Sequence, residues 1–406
     1  MKHVIIGSGA AGIAAARTIR ATAPFDEVIV ISSDKNIHSR CLLQHYISGD
    51  RTSEGLSFID HDFFSRENIE WLKNQSIQQI DTTNKFVHLA MMTIPYDRLL
   101  IATGAQNMDF PLFKNKKYPN VFTLRHFSDA EAIRQHAQGA KHVVILGAGL
   151  IGMDVADALL KIGIKPTIID LSSSILSANL DEYAAAVYQK KFEDAGCMFY
   201  LNESVTDFTT DAQEHINTLT LSAQTRLQCD MVVVAIGTTP SVDVLKDSGI
   251  AHNPYIHIDA YLKTNIIDVY AAGDVTGLSG TWPSAIKQGE VAARNMCGVP
   301  TPYTITFALK NTINYFGIPT LALGAIKECE NVNVFVYKHQ LQYEKVVIMN
   351  GVIVGVIVQG DISHSGFWQH LIENKIDVSA LNLPALSVSF ADFYSTKPNG
   401  EYQWML

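Results

Sequence analysis

The chain of 406 residues is 47% hydrophobic and sets 31 Lys and Arg against 40 Asp and Glu, a net charge of −9. That length asks for two or three cores rather than one, and an acidic balance without any basic run argues against nucleic acid as a partner. The five cysteines, Cys41, Cys197, Cys229, Cys297 and Cys329, are scattered and never form a CxxC pair, so no disulfide framework, zinc site or iron–sulfur cluster is expected and a reducing, cytoplasmic setting fits best.

The chain opens on the apolar run His3–Ile6, followed by GSGAAG at Gly7–Gly12, a helical stretch, and the β-rich EVIVIS at Glu27–Ser32. Strand, tight turn, helix, strand is the setting in which GxGxxG holds a dinucleotide. The positive start and small residues superficially resemble a signal peptide, but the three glycines explain the segment better. Gly7 permits the sharp turn, Gly9 lets a pyrophosphate approach the backbone, and Gly12 lets the helix pack closely. Ala10 and Ala11 open that helix with unpaired N–H groups facing the phosphates. No acid ends the second strand; Ser32 and Ser33 offer hydroxyls to a ribose there, and Asp34 comes slightly late.

No later apolar run reaches the roughly 20 residues that span a bilayer, so no membrane span is expected. Further along, YDRLLIATGA at Tyr96–Ala105 reads as a buried strand ending in the turn Ala102, Thr103, Gly104. A second dinucleotide motif follows in HVVILGAGLIGMDVADALLKIGIKPTIID, with Gly147, Gly149 and Gly152 spaced as in the first, and Leu150 and Ile151 opening the helix. Here the strand ends on Asp170, which can accept from ribose hydroxyls and would repel a 2′-phosphate, favouring NADH over NADPH. Two more strand-and-glycine turns appear, Cys229–Pro240 with Ile236 and Gly237, and Val269–Gly277 with Gly273 and Asp274. A helix then begins in TWPSAIKQGEVAARNMCG, with Pro283 suited to its first turn.

The ordered set resembles the FAD-dependent pyridine nucleotide-disulfide oxidoreductase family over about residues 1–390. The resemblance implies an α/β, glutathione-reductase-like fold with two Rossmann-like dinucleotide-binding domains and a small C-terminal α+β domain. FAD would be bound by residues 1–112 and 242–306, NAD(H) by an inserted domain at 113–241, with 307–406 following. It also implies that Asp274 binds the flavin's ribityl and phosphate region, and that the helix bearing Trp282, Pro283 and Ala285 starts beside the flavin ring. Such a helix N-terminus would stabilise negative charge on reduced flavin. Trp282 either shields the ring or packs in an interface. Asp154 stands where the family usually carries a glutamate near the nicotinamide, one methylene longer.

The acceptor turns on HSRCLLQHYISGD, His38 to Asp50. The dithiol branch of the family is excluded, because Cys41 has no nearby cysteine. The single-cysteine branch, with its NADH oxidases, NADH peroxidases and CoA-disulfide reductases, carries a stretch like NCGLPYYISG, which RCLLQHYISG resembles with the cysteine kept. Such a thiol cycles through sulfenic acid or a mixed disulfide, and an inward Arg40 would favour its thiolate. Against this branch, Ala10 replaces a loop histidine of the peroxidase-type enzymes, and Arg40 an asparagine.

The branch of rubredoxin reductases, ferredoxin reductases and nitrite reductase flavin domains reads like SRPLL, and SRCLL at Ser39–Leu43 is similar. There the matching Arg40 contacts FAD, and electrons leave for a small rubredoxin or ferredoxin. His45 stands where some ferredoxin reductases carry a lysine. The leading expectation is therefore an NADH-dependent flavoprotein that reduces a small carrier, compatible with a homodimer. Alternatives are a Cys41-dependent NADH oxidase or CoA-disulfide or persulfide reductase, and an NADH-sensing flavoprotein like the related apoptosis-inducing factor. The stretch Val346–Leu381 resembles the C-terminal domain of the carrier branch, with Asn350–Gly351 as a hairpin signal. The aromatic end, Ser389–Leu406, reads as a docked tail or a contact surface.

Overall fold

The computed structural model describes residues 1–406 except 115, 279, 305–309, 328–329, 340–341, 380–387 and 405–406. Cys329 and part of the aromatic tail therefore lie outside the described residues. Two compact units are present, Met1–Ser172 with Ala195–Thr304, and Ser173–Asp194 with Ile305–Leu406.

In the first unit, short runs rich in β-branched residues form a five-stranded parallel sheet in the order Val269–Ala271, Arg98–Ile101, Lys2–Ile6, Glu27–Ile31 and Glu70–Leu72. Its strands are apolar on both faces because both are covered, as parallel sheets require. Ile5, Val30 and Leu100 pack into one core, and Val4, Ile29 and Leu99 into the other. Each such side chain contributes about 1.5–3 kcal/mol by leaving water. A second parallel sheet runs in the order Met198–Leu201, Thr167–Asp170, Val143–Leu146, Met231–Val234 and Val121–Thr123.

Five helices of this unit bear on the site: α1 (Ala10–Thr22), α2 (Leu43–Ser48), α3 (Phe127–Ala137), α4 (Leu150–Lys161) and α5 (Trp282–Met296). α1 follows the central strand of the first sheet and α4 that of the second, so the two motifs occupy equivalent places. α5 lies directly on α1, since a Cβ on Gly289 would come within 2.1 Å of the Ala11 carbonyl oxygen. No helix among the described residues is long and apolar enough to cross a membrane.

The second unit is an antiparallel sheet in the order Lys310–Tyr315, Ile318–Gly324, Val352–Gln359, Gln342–Met349 and Val332–His339. Asn350 and Gly351, at φ 52° and 80°, make the two-residue turn between strands Gln342–Met349 and Val352–Gln359, as their sequence predicts. Helix Ser365–Glu373 covers one face through Phe367, Trp368 and Leu371. Helix Glu182–Asp194 also belongs to this unit. Its buried Tyr188 shares a 2.7 Å hydrogen bond with Thr320, which in turn accepts from Gln359 at 3.0 Å. At the tail, Phe393 is buried and Phe390 packs edge-on against Phe367.

His3, in the central strand of the first sheet, is 0% exposed, its Nε2 2.8 Å from Asp26 Oδ2. Burial pushes its pKa below the ordinary 6.5 despite that carboxylate. The folded state thus resists a proton that the unfolded chain accepts at about 6.5. This contribution is complete above that pH and is lost as pH falls toward the lower folded value. Thermal unfolding is expected to show a steady transition from pH 8 to 7 and a falling one from 6.5 to 5. His3→Gln, which keeps a donor for Asp26 but cannot titrate, should reduce that acid-side loss.

Candidate functional site

A cavity of about 380 Å³ opens at the C-terminal ends of the first sheet's strands, where loops after Ile6, Ile31, Ile101 and Ala271 converge. Gly7, Gly9, Ala10, Ala11, Ser32, Ser33, Arg40 and Cys41 line it, with Ala102, Thr103, Gly104, Gly273, Asp274, Trp282 and Ala285. Gly12 and Pro283 act behind the wall. Pro283 sits in the first turn of α5, and Gly12 holds α1 against the strand.

The glycines divide into two physical kinds. Gly7, at φ +114°, would place a Cβ 2.1 Å from the Ala102 oxygen, and Gly12 one 1.9 Å from the Gly7 oxygen, so the fold itself forbids a side chain at both. At Gly9 the backbone is extended and nothing lies within 4 Å of a Cβ. The protein's own atoms give no reason for glycine there, whereas a ligand approaching the backbone does. The same division recurs in the second motif. Gly147 and Gly152 would clash at 2.3 Å and 1.9 Å, and Gly149 meets nothing. Neither α1 nor α4 has a side-chain cap or an acid in its first turn, so Ala10 and Ala11, like Leu150 and Ile151, start helices that offer N–H groups to an anion. These features fit FAD at the first loop and a second dinucleotide at the other.

A ladder of charges crosses the first cavity. Arg40 donates through Nη1 to the Arg125 carbonyl at 3.0 Å and through Nη2 to Asp34 Oδ2 at 3.3 Å. His126 Nδ1 lies 2.9 Å from Asp34 Oδ1, and Arg125 Nη2 donates to Asp274 Oδ2 at 3.0 Å. Burial pushes Asp34 up, but the His126 hydrogen bond and the Arg40 charge outweigh it and hold the carboxyl below its ordinary range. Ser32 is engaged within the protein, donating to the Asp34 carbonyl and accepting from Trp71 Nε1 at 3.0 Å. Asp34, the acid that comes late in sequence, therefore gives the first unit its carboxylate. Arg125 and His126 escape a motif search altogether. Their only local sign is a basic pair between strand Val121–Thr123 and α3, with Asp129 accepting from both backbone N–H groups.

Cys41 is open to the cavity, yet surrounding protein pushes its thiol pKa up and the Asp154 and Asp274 carboxylates push it further, over the opposing Arg125 charge and Ser39 hydrogen bond. Arg40 lines the cavity but bonds to Asp34 and the Arg125 carbonyl, and the cation opposing the rise of the thiol is Arg125. Asp154 lies on α4 and is not among the residues that line the cavity. His45 faces Asp50 at 3.4 Å and is not part of the cavity wall. In the second motif, Asp170 accepts from the backbone N–H of Ala148 at 2.6 Å and of Ser172 at 2.7 Å, which fixes the carboxylate beside the glycine loop. Ile236 and Gly237 follow the neighbouring strand, Gly237 at φ +125°. Trp282 packs edge-on against Phe58 with ring centres 4.8 Å apart, at the start of α5.

Residues 1–289 match the family described as pyridine nucleotide-disulphide oxidoreductase, and residues 310–376 the rubredoxin NAD+ reductase C-terminal domain. The chain is 27% identical over 386 residues to the nitrite reductase [NAD(P)H] of Bacillus subtilis, covering 93% of itself and 48% of that protein. It thus spans about half the length of that relative. Against the NADH-rubredoxin oxidoreductase of Clostridium acetobutylicum it is 27% identical over 372 residues, 89% and 92% of the two chains. Among solved structures, the reductase of a covalent putidaredoxin reductase–putidaredoxin complex superposes with a TM-score of 0.84 at 22% identity, over 93% and 94% of the chains, and shares the fold.

The two kinds of glycine predict opposite outcomes. Gly9→Val should keep the transition of the FAD-free protein within a few degrees of that of the FAD-free parent while FAD content falls at least about tenfold. Gly149→Val should keep FAD and lose NADH affinity, read by titration. Gly12→Ala should cost the fold itself, seen as loss of a cooperative transition.

Proposed function

We propose that this chain, which belongs to the pyridine nucleotide-disulphide oxidoreductase family, takes a hydride from NADH onto FAD and passes the electrons to a small rubredoxin- or ferredoxin-type carrier in the cytoplasm. Bound FAD supplies the conversion between two-electron and one-electron transfer. The residues of this chain bind, orient and exclude water. Arg40 and Arg125 bring positive charge to a cavity built for a pyrophosphate, Asp34 and Asp274 offer acceptors to hydroxyls, and Asp170 selects a ribose without a 2′-phosphate. Trp282 and the first turn of α5 close the wall on the side where the family resemblance puts the flavin ring. No side chain has to act as acid or base in the hydride step.

The observation that carries this reading over Cys41 chemistry is the match of residues 310–376 to the rubredoxin reductase C-terminal domain, and the surroundings of the thiol agree with it. A redox cysteine works as thiolate, favoured by nearby cations, whereas the Cys41 thiol, exposed to the cavity, is pushed up by the protein around it and by the Asp154 and Asp274 carboxylates more than Arg125 pulls it down. A second reading, a Cys41-dependent reductase of oxygen, CoA disulfide or persulfide, draws on one fact, that Cys41 lines the cavity.

Anaerobic stopped-flow reduction by NADH, followed by mixing with rubredoxin, a ferredoxin, oxygen or CoA disulfide, separates them. Reoxidation is expected to be fastest with a carrier, and Cys41→Ser should leave flavin reduction and carrier turnover within about twofold of the parent. Loss of turnover in Cys41→Ser with flavin reduction intact would reverse the order of the two readings.

A further inference from the structure

We propose that His126 is a positioning residue for the FAD, holding the Asp34 carboxylate so that its remaining lone pairs face the dinucleotide cavity. Asp34 stands in an irregular stretch after strand Glu27–Ile31, with no helix or strand to fix its side chain. Its carboxylate, 14% exposed, has one donor on each oxygen, His126 Nδ1 at 2.9 Å and, at a longer 3.3 Å, Arg40 Nη2. An ionised carboxylate only accepts, so Nδ1 of His126 is the protonated nitrogen in this contact. Each oxygen has further lone pairs, and Asp34 and His126 both line the cavity.

What makes His126 a good anchor is its own support. It is the N-cap of α3, in a capping box with Asp129, whose Oδ2 accepts its backbone N–H at 2.9 Å and that of Arg125 at 2.8 Å. Two consecutive residues, following a strand of the second sheet, thereby each take one carboxylate from a loop of the first: Arg125 takes Asp274, and His126 takes Asp34. The arginine's charge is permanent and its fork bonds a carboxylate from many directions. The imidazole offers Asp34 a single N–H on a stiff ring, so it sets a direction more than a charge.

The side chain of His126 is 42% exposed, so solvent weakens the bond and the effect is moderate. His126→Leu should raise the FAD dissociation constant about tenfold. In His126→Asn the amide nitrogen stands as far from Cβ as Nδ1 does, so affinity should return to within about threefold of the parent. His126→Gln displaces the donor by one bond and should recover less. The measurement is flavin fluorescence on dilution of the holoprotein, giving FAD release for each variant, with NAD+ affinity as the check that the second motif is intact. In an Asp34→Ala background His126→Leu should add nothing.

Parent-like FAD affinity in His126→Leu overturns the proposal, and so does an undiminished effect in the Asp34→Ala background. If the leucine variant fails to fold, the asparagine and glutamine variants decide, and equal affinities overturn it. The inference rests on FAD occupying the first cavity, not on the acceptor. A parent protein that holds no FAD would refute the cofactor assignment itself, an outcome distinct from the failure of His126.

Discussion

The structure depends on one steric constraint, the contact of a helix start with the turn that precedes it. A Cβ on Gly12 would come within 1.9 Å of the Gly7 oxygen, and one on Gly152 within 1.9 Å of the Gly147 oxygen. Only because both are glycine can α1 and α4 begin so close to their strands that their first N–H groups point past the strand ends. The open side of each loop, at Gly9 and Gly149, follows from the same geometry. Cavity, helix ends without side-chain caps and the placing of Asp170 beside its loop are consequences of that one close approach, made twice.

The parts of the molecule legible in its sequence are those whose physical reason is local. Glycine spacing, the apolar runs of doubly covered strands and the Asn350–Gly351 turn each act within a few residues, and each appears where its pattern puts it. Illegible parts depend on atoms far along the chain. Whether Ser32 is available to a ribose depends on Trp71, which donates to its hydroxyl from 39 positions away. The partner of Asp34 Oδ1 is His126, 92 positions away. Similarly, helix Glu182–Asp194 joins the unit of residues 305–406 through Tyr188, whose partner Thr320 lies 132 positions on. No periodicity records such pairings.

Charge in the first cavity is organised as alternation rather than as a patch. Asp34, Arg40, Arg125 and Asp274 are linked so that each cation meets a carboxylate or a carbonyl, and each carboxylate meets a cation. A pyrophosphate entering this ladder meets cations already oriented by neighbours, so less side-chain freedom is lost on binding. The cost is that these partners are coupled, and removing one leaves another partly buried without its counter-charge.

Cys41 illustrates how position and chemistry come apart. It precedes α2, a six-residue helix too short to be stable alone. α2 is held by its neighbours. Arg134 of α3 lies 5.0 Å over the Tyr46 ring and donates to the Tyr46 carbonyl at 3.1 Å, while Lys161 of α4 pairs with Asp50 at 3.2 Å. Those contacts, together with Arg40 reaching Asp34, fix the segment against the cavity whatever residue stands at position 41. Presence at the cavity is therefore imposed by the fold and says little about redox use. Surrounding protein first, and the Asp154 and Asp274 carboxylates after it, push the thiol up against the opposing Arg125 charge, so its surroundings and not its place at the cavity wall bear on its chemistry.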